Sequence, residues 1–446
     1  MLSSRELARM IRPPIRPRVL FVSYNALIEP LGRTQILPYV CGLADTCDMA
    51  VLSFEKRVRS VDEDARDTSD VERHLAARGV RWIRLRYHKR PSLPATALDI
   101  AHGATRILRE HRRRPFDLLH ARGYVPAAMA LAVRKCTGVG FLFDIRGLQA
   151  EEAADAGHWD VRGLHFRLTK RVERSILHAA DGIVTLTHAV RPALQEFDGL
   201  KDRATAPPWS VIPTCVDLDH FAFDAAGRAR IRAQLGIGER PVLVYAGSIG
   251  TRYLLEQMLD FHQAARDRWP GLFLLALVNH WPGTAERRLV ARGVPASDYA
   301  VVWAAHAQMP AYLSAADAAI SFVRSRPSLS SLAASPTKVA EYLACGLPLA
   351  ANAGIGDIDD LLARTGAGAI VAGHSHRAYH AATDRLRALA VPANRDRWRA
   401  VAETEFSVTS RACPAYRQLY DRILRPACVD TAGVVRTRAD RAEPTG

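Results

Sequence analysis

The feature that most constrains this chain is an alternation that runs its length and starts over midway. Short, continuously apolar runs at 19–23, 49–54, 80–85, 117–120, 140–144 and 182–186 are separated by amphipathic or helix-prone stretches at 35–43, 55–79, 95–112, 124–135 and 161–179. A strand that is apolar throughout is buried on both faces, and parallel strands joined by helical crossovers achieve that. The pattern restarts near residue 212. Strands are expected at 210–214, 241–246, 273–278, 300–303, 318–322, 347–351 and 369–371, with helices at 227–235, 253–268, 310–316, 336–345 and 375–390. This predicts an α/β fold of two Rossmann-like, doubly wound domains facing a central cleft, because open parallel sheets bind ligands beyond the C-terminal ends of their strands.

At 446 residues the chain exceeds one ordinary core, since a domain averages roughly 150 residues. The expected division is an N-terminal arm over 1–17, a first domain over 18–211 and a second over 212–408. A terminal helix over 409–428 is expected to pack back on the first domain, ahead of a polar, disordered tail over 429–446. Hydrophobic residues make up 48% and charged residues 24%, which is a globular balance. No apolar run approaches the roughly 20 residues of a membrane span. Arg5, Arg9 and Arg12 precede no apolar stretch, so no secretory signal is expected. Seven scattered cysteines without a CxxC pair fit reduced thiols of a cytoplasmic protein. The net charge of +15 points either to peripheral contact with anionic lipid at the inner face of a membrane or to a solvated, arginine-rich surface. No basic module is interleaved with aromatics, so no nucleic-acid partner is expected.

One segment carries chemistry: Ser335 to Leu349, SPTKVAEYLACGLPL. Ser335 is placed to cap a helix, and Pro336 suits its first position. The free amides of Thr337 and Lys338 then form an anion site suited to a nucleotide diphosphate. Glu341, one turn further, is placed to reach a ribose hydroxyl pair. Gly346 ends the helix and Pro348 opens the next strand. On spacing alone, an ordinary capped helix of an α/β fold accounts for these residues at least as well.

The segment resembles the donor-site signature of family-4 glycosyltransferases of the GT-B fold, in a subgroup whose helix starts S-P-T-K. Glu341, Ala344, Gly346 and Pro348 match its E-x-x-A-x-G-x-P run, while the family's first glutamate, a contact to donor-sugar hydroxyls, falls at Ala333 and is absent. Three further stretches are similar to the family: residues 24–39 with Gly32, the interdomain 212–221 with Thr214-Cys215 in place of Asn-Gly, and 245–250 at the start of the nucleotide-binding domain. The resemblance implies that Gly32 lies beside donor phosphates and acceptor. It also implies that the loop after Gly247 clamps the diphosphate. There Ser248 replaces the usual arginine, Arg252 lies near the usual lysine, and Lys338 or Arg324 are placed to supply the missing charge. In the first domain, residues 117–122 resemble a D-x-x-H-x-H strand end, with Arg122 replacing the second histidine, and Arg146 follows the next strand end, ahead of Glu151 and Glu152. His120 and Arg146 are the catalytic candidates, and Arg122 and Arg324 the candidates for acceptor or phosphate contact.

The implied activity is metal-independent transfer, with retention, of a sugar from a nucleoside-diphosphate sugar to a glycan, lipid-linked or small-molecule acceptor. The nucleotide sugar is a co-substrate, so no cofactor is expected. No D-x-D loop and no His/Cys cluster suggests a metal. A nucleotide-sugar 2-epimerase and a non-catalytic nucleotide-sugar-binding protein of the same fold are the alternatives. No strand is followed by G-x-G-x-x-G, which excludes a dehydrogenase.

Overall fold

The computed structural model describes residues 16–56, 61–88, 90, 92–250, 252–278, 282–324, 328–424, 428–429 and 435–436. Most of the expected arm and most of the expected tail lie outside the described residues. Within the tail, Cys428–Val429 pairs antiparallel with Val435–Arg436.

The first sheet has seven strands: β1 (Arg18–Ser23), β2 (Asp48–Glu55), β3 (Arg81–Arg86), β4 (Leu118–Arg122), β5 (Gly140–Asp144), β6 (Gly182–Thr185) and β7 (Trp209–Val211). Their spatial order is β3-β2-β1-β4-β5-β6-β7. The central strand β1 pairs parallel with both neighbours, so that Val19 lies opposite Met49 on one side and Leu118 on the other. The second sheet has six strands: β8 (Val242–Gly247), β9 (Phe273–Val278), β10 (Tyr299–Val302), β11 (Ala318–Ser321), β12 (Leu349–Asn352) and β13 (Gly368–Val371). They run β10-β9-β8-β11-β12-β13, all parallel. Each sheet thus reverses its strand order once, at β1/β4 and at β8/β11, which is the doubly wound arrangement.

Alternate side chains of β8 serve two separate cores. Val242, Val244 and Ala246 enter one, with Leu349, Ala351 and the helix residues Val339, Ala340 and Leu343. Leu243 and Tyr245 enter the other, with Ile320, Ala350 and Phe261. Burial on both faces is why these strands read as unbroken apolar runs.

Two compact units interleave along the chain. One comprises residues 1–144, 179–183 and 416–446, the other 145–178 and 184–415. The expected single boundary near 212 differs from this in two ways: residues 145–178, inserted between β5 and β6, and residues 184–211 both belong to the second unit. In the first unit, Tyr416 and Tyr420 of the helix Cys413–Leu424 pack with the first 144 residues, where Arg417 also donates to the Gly42 carbonyl at 2.7 Å.

Local structure departs from expectation after β1. Gly32 belongs to a short helix, Pro30–Gln35, separated from the next helix, Leu37–Leu43, by Ile36. Pro38 cannot donate a backbone hydrogen bond, so one continuous helix is not available. Gly32 does permit a close approach, but to the chain itself: a Cβ there would lie 2.0 Å from the Ala26 carbonyl oxygen.

Candidate functional site

The helix Thr337–Ala344 follows β11 and packs its apolar face into the core of the second unit. Its cap is Pro336, one residue later than expected, and no side chain caps it. Ser335 is committed elsewhere: Thr214 donates its N–H to the Ser335 hydroxyl at 3.1 Å and its own hydroxyl to the Ser335 carbonyl at 2.7 Å. The first-turn amides of Thr337 and Lys338 have no partner within the helix, as at any helix start.

Lys338 is the unusual residue. It is 5% exposed, and among the described residues its Nζ has no hydrogen-bond partner. Two aromatic rings hold the ammonium, that of Tyr253 with its centre at 3.6 Å and that of Tyr245 at 4.2 Å. Burial pushes its pKa down to about 7, partly offset by Glu341. Gly247, at the end of β8, has φ +143, and a Cβ there would lie 2.6 Å from the lysine Nζ. The backbone at Gly247 and the ammonium therefore meet because residue 247 has no side chain. Tyr245 is held in place by donating its hydroxyl to the Ser248 carbonyl at 2.7 Å. Glu341, half-buried one turn along the helix, has its pKa raised by burial to about 7, partly offset by Lys338. An unpaired, buried cation beside open backbone at a helix start is a site for an anion, because an acceptor there would relieve the desolvation of the ammonium.

A cavity of about 290 Å³ lies in the same unit. Arg252 and Arg324 line it from the loops after β8 and β11, Ser330 and Ser331 from the short helix Leu329–Leu332, and Glu152 and Asp155 from the helix Gln149–Asp155. Arg252 forms an ion pair with Glu152 at 2.9 Å, and its carbonyl accepts the Arg324 N–H at 2.8 Å. Ser330 donates its hydroxyl to Asp155. Ala333, where the resembled family carries its first glutamate, is buried. Polar oxygens and two guanidinium groups around a small cavity suit a polyhydroxylated, anionic ligand.

The structure thus brings Gly247, Lys338 and Glu341 together, with Ser248 behind Tyr245, and places Arg252 and Arg324 side by side at the cavity. Ser335 turns to Thr214 instead. In the first unit His120 is fully buried. Its Nδ1 lies 2.6 Å from the Tyr420 hydroxyl and its Nε2 3.3 Å from Asp144, which also accepts from Tyr416 at 2.9 Å. The catalytic role expected of His120 finds no exposed face; the residue fastens the terminal helix. Arg122 bonds Asp144 at 3.3 Å and Gln35 at 3.4 Å, with its guanidinium 5.6 Å from the centre of the Tyr39 ring. Arg146 follows β5, half-buried. The roles of Tyr245, Tyr253 and Asp155 had no local signal in the sequence, since each depends on partners far along the chain. Asp267, His376 and His380 bring ligand atoms within 4.8 Å of one another, a grouping not visible as a sequence motif; none of them lines this cavity.

Comparison with known proteins finds glycosyltransferases. Residues 32–209 match the family described as glycosyl transferase 4-like domain. A curated relative, the GDP-mannose-dependent alpha-(1-6)-phosphatidylinositol monomannoside mannosyltransferase of Mycolicibacterium smegmatis, is 29% identical over 153 residues, 32% of this chain and 37% of the relative. The match therefore spans little more than a third of that relative's length. Among solved structures, a glycosyltransferase from Rickettsia africae superposes with a TM-score of 0.66 at 12% identity, over 93% of this chain and 100% of that one. Anabaena HepE, solved in complex with UDP and glucose, gives 0.64 at 12% identity over 91% and 99%. Sucrose-phosphate synthase from Thermosynechococcus elongatus gives 0.65 at 16% identity, also over 91% and 99%. The family match is confined to residues 32–209, and the chain as a whole has the GT-B fold.

Proposed function

We propose that this protein is a glycosyltransferase that moves a sugar from a nucleoside-diphosphate sugar to a glycan, lipid-linked or small-molecule acceptor, with retention and without a resident metal. The observation that carries the proposal is the unpartnered, buried Lys338 ammonium against Gly247 at a helix start. In the transfer the bond between the sugar's anomeric carbon and the diphosphate oxygen breaks, and a bond to the acceptor oxygen forms. The departing diphosphate gains negative charge, which a fixed cation and helix amides stabilise more in the transition state than in the ground state. Lys338 and the amides of Thr337 and Lys338 fill that role, and the Glu341 carboxylate accepts hydrogen bonds from the nucleotide's ribose hydroxyls. Arg252 and Arg324 face the sugar side, where Glu152 and Asp155 offer acceptors to its hydroxyls. The mannosyltransferase relative and the UDP complex of HepE support this class of donor.

Among the described residues no helix is long and apolar enough to cross a membrane. A cytoplasmic location, with peripheral contact at an anionic inner membrane face, is part of the proposal and draws on the charge of +15.

The test is to incubate the purified protein with UDP- and GDP-sugars, with and without an acceptor panel, and to measure nucleoside diphosphate release and sugar products. Release that needs acceptor supports the transferase. Sugar conversion without acceptor would identify an epimerase, and nucleotide affinity with neither would identify a binding protein.

A further inference from the structure

The helix Leu164–Ala179 carries an exposed apolar stripe. Leu164 is 76% exposed, Leu168 53% and Val172 36%, and Val161, just before the helix, is 57% exposed. Spacing of four residues places the three helical members on one face, over about 12 Å. The exposed stripe ends at Val172, because Ile176, next in the same row, is buried, and the opposite face holds the helix to its own unit: Leu177 is buried, and Lys170 pairs with Glu151 at 2.8 Å and lies 3.8 Å from the centre of the Phe197 ring.

The flank of the stripe is cationic. At 100° per residue, Arg167, Arg171, Arg174 and His178 form a row along one edge of it, and all four are exposed. Arg174 pairs with Asp198, whereas Arg167 and Arg171 make no ion pair among the described residues. The helix has a single carboxylate, Glu173, and it is buried and paired with Lys170. At the start of the stripe the half-buried Trp159 stacks on His165, with ring centres 6.1 Å apart. An exposed aliphatic stripe beside an arginine row, with an indole at one end, matches a helix that lies in the plane of a bilayer interface.

We propose that this helix is a docking surface for an anionic lipid bilayer, with Leu164, Leu168 and Val172 entering the acyl boundary and Arg167 and Arg171 meeting lipid phosphates. This rests on the membrane contact proposed above, for which it names the element, and not on the transferase reading. A second copy of the chain is the poorer occupant. An isologous pairing would set the arginine rows of two copies side by side, and a narrow stripe falls short of the about 800 Å² per partner of a stable dimer.

The experiment is co-sedimentation of the full chain with phosphatidylglycerol-rich and with pure phosphatidylcholine vesicles. Wild-type protein should bind the anionic vesicles preferentially. The double variant R167A/R171A should lose about thirtyfold in partitioning, from about 1 kcal/mol per arginine. L164S/L168S should lose at least about tenfold. R112A/R113A, an equal charge change at two exposed arginines outside this helix, should stay near wild type. All variants alter exposed side chains, and unchanged unfolding midpoints verify the fold. No binding of wild type to anionic vesicles, or an equal loss in R112A/R113A, would overturn the proposal. So would a concentration-dependent dimer that L164S/L168S abolishes while vesicle binding is kept.

Discussion

Lys338 holds its ammonium 3.6 Å from the centre of the Tyr253 ring, with no hydrogen-bond partner among the described residues. A buried cation so placed costs stability in the ligand-free protein and gains an anion's company on binding. The near-isosteric Lys338→Met should therefore leave the unfolding midpoint of the ligand-free protein unchanged or raised. The same change should weaken nucleoside diphosphate binding at least about tenfold, from the about 1.5–3 kcal/mol of a charged hydrogen bond. A lower midpoint with unaltered binding would make Lys338 a packing residue only.

The lysine also sets a pH dependence. With its pKa near 7, its protonated fraction falls above that value. Only the protonated form attracts a diphosphate, so affinity should fall by up to about tenfold per pH unit above neutrality. Lys338→Met should flatten that slope, as binding titrations across the alkaline range would show. For stability, the unfolded chain binds more protons at this lysine between about 7 and 10.5, so its contribution rises with pH over that window. Glu341, raised from 4.5 to about 7, has the opposite sign: its contribution falls as pH rises through that lower window.

Glu341→Ala should reduce nucleoside diphosphate affinity by about tenfold or more, the value of one or two hydrogen bonds to a ribose. Glu341→Gln, which keeps the shape and a donor, should lose less. Affinity unchanged in Glu341→Ala would remove this residue from the site.

Gly247→Ala places a methyl group 2.6 Å from Nζ at a φ of +143. Backbone strain of about 1–3 kcal/mol should appear in denaturant unfolding, together with loss of nucleotide binding as the lysine is displaced.

Tyr420→Phe removes the hydroxyl 2.6 Å from His120. The histidine's buried nitrogen loses a partner, so the first unit should lose about 1–3 kcal/mol in urea titration, with no direct effect on nucleotide affinity.

The strands were legible because β8 and its neighbours are buried on both faces, with a polar residue only at the end of β11, Ser321. The helix Thr337–Ala344 was legible from Pro336 at its start and Gly346 at its end, but its start was read one residue early. Ser335 looks like a cap in sequence, yet its hydroxyl is taken by the Thr214 amide, 121 positions away. Glu341 stood out from its motif. What set Lys338 apart from a solvated lysine did not, because it comes from Tyr245 and Tyr253 closing over the ammonium. Likewise Gly32 reads as a loop glycine, whereas the contact that demands glycine is with Ala26 of its own chain. His120 sits at a strand end, where catalytic groups often lie, and only the packing of Tyr416 and Tyr420 shows it sealed.

Calorimetric titration of UDP and GDP into wild type and Lys338→Met at neutral pH tests the account most directly. Saturable binding of at least one nucleoside diphosphate to wild type is expected, with a loss of about tenfold or more in the variant. No binding of either nucleotide to wild type, or equal binding to both proteins, would contradict it.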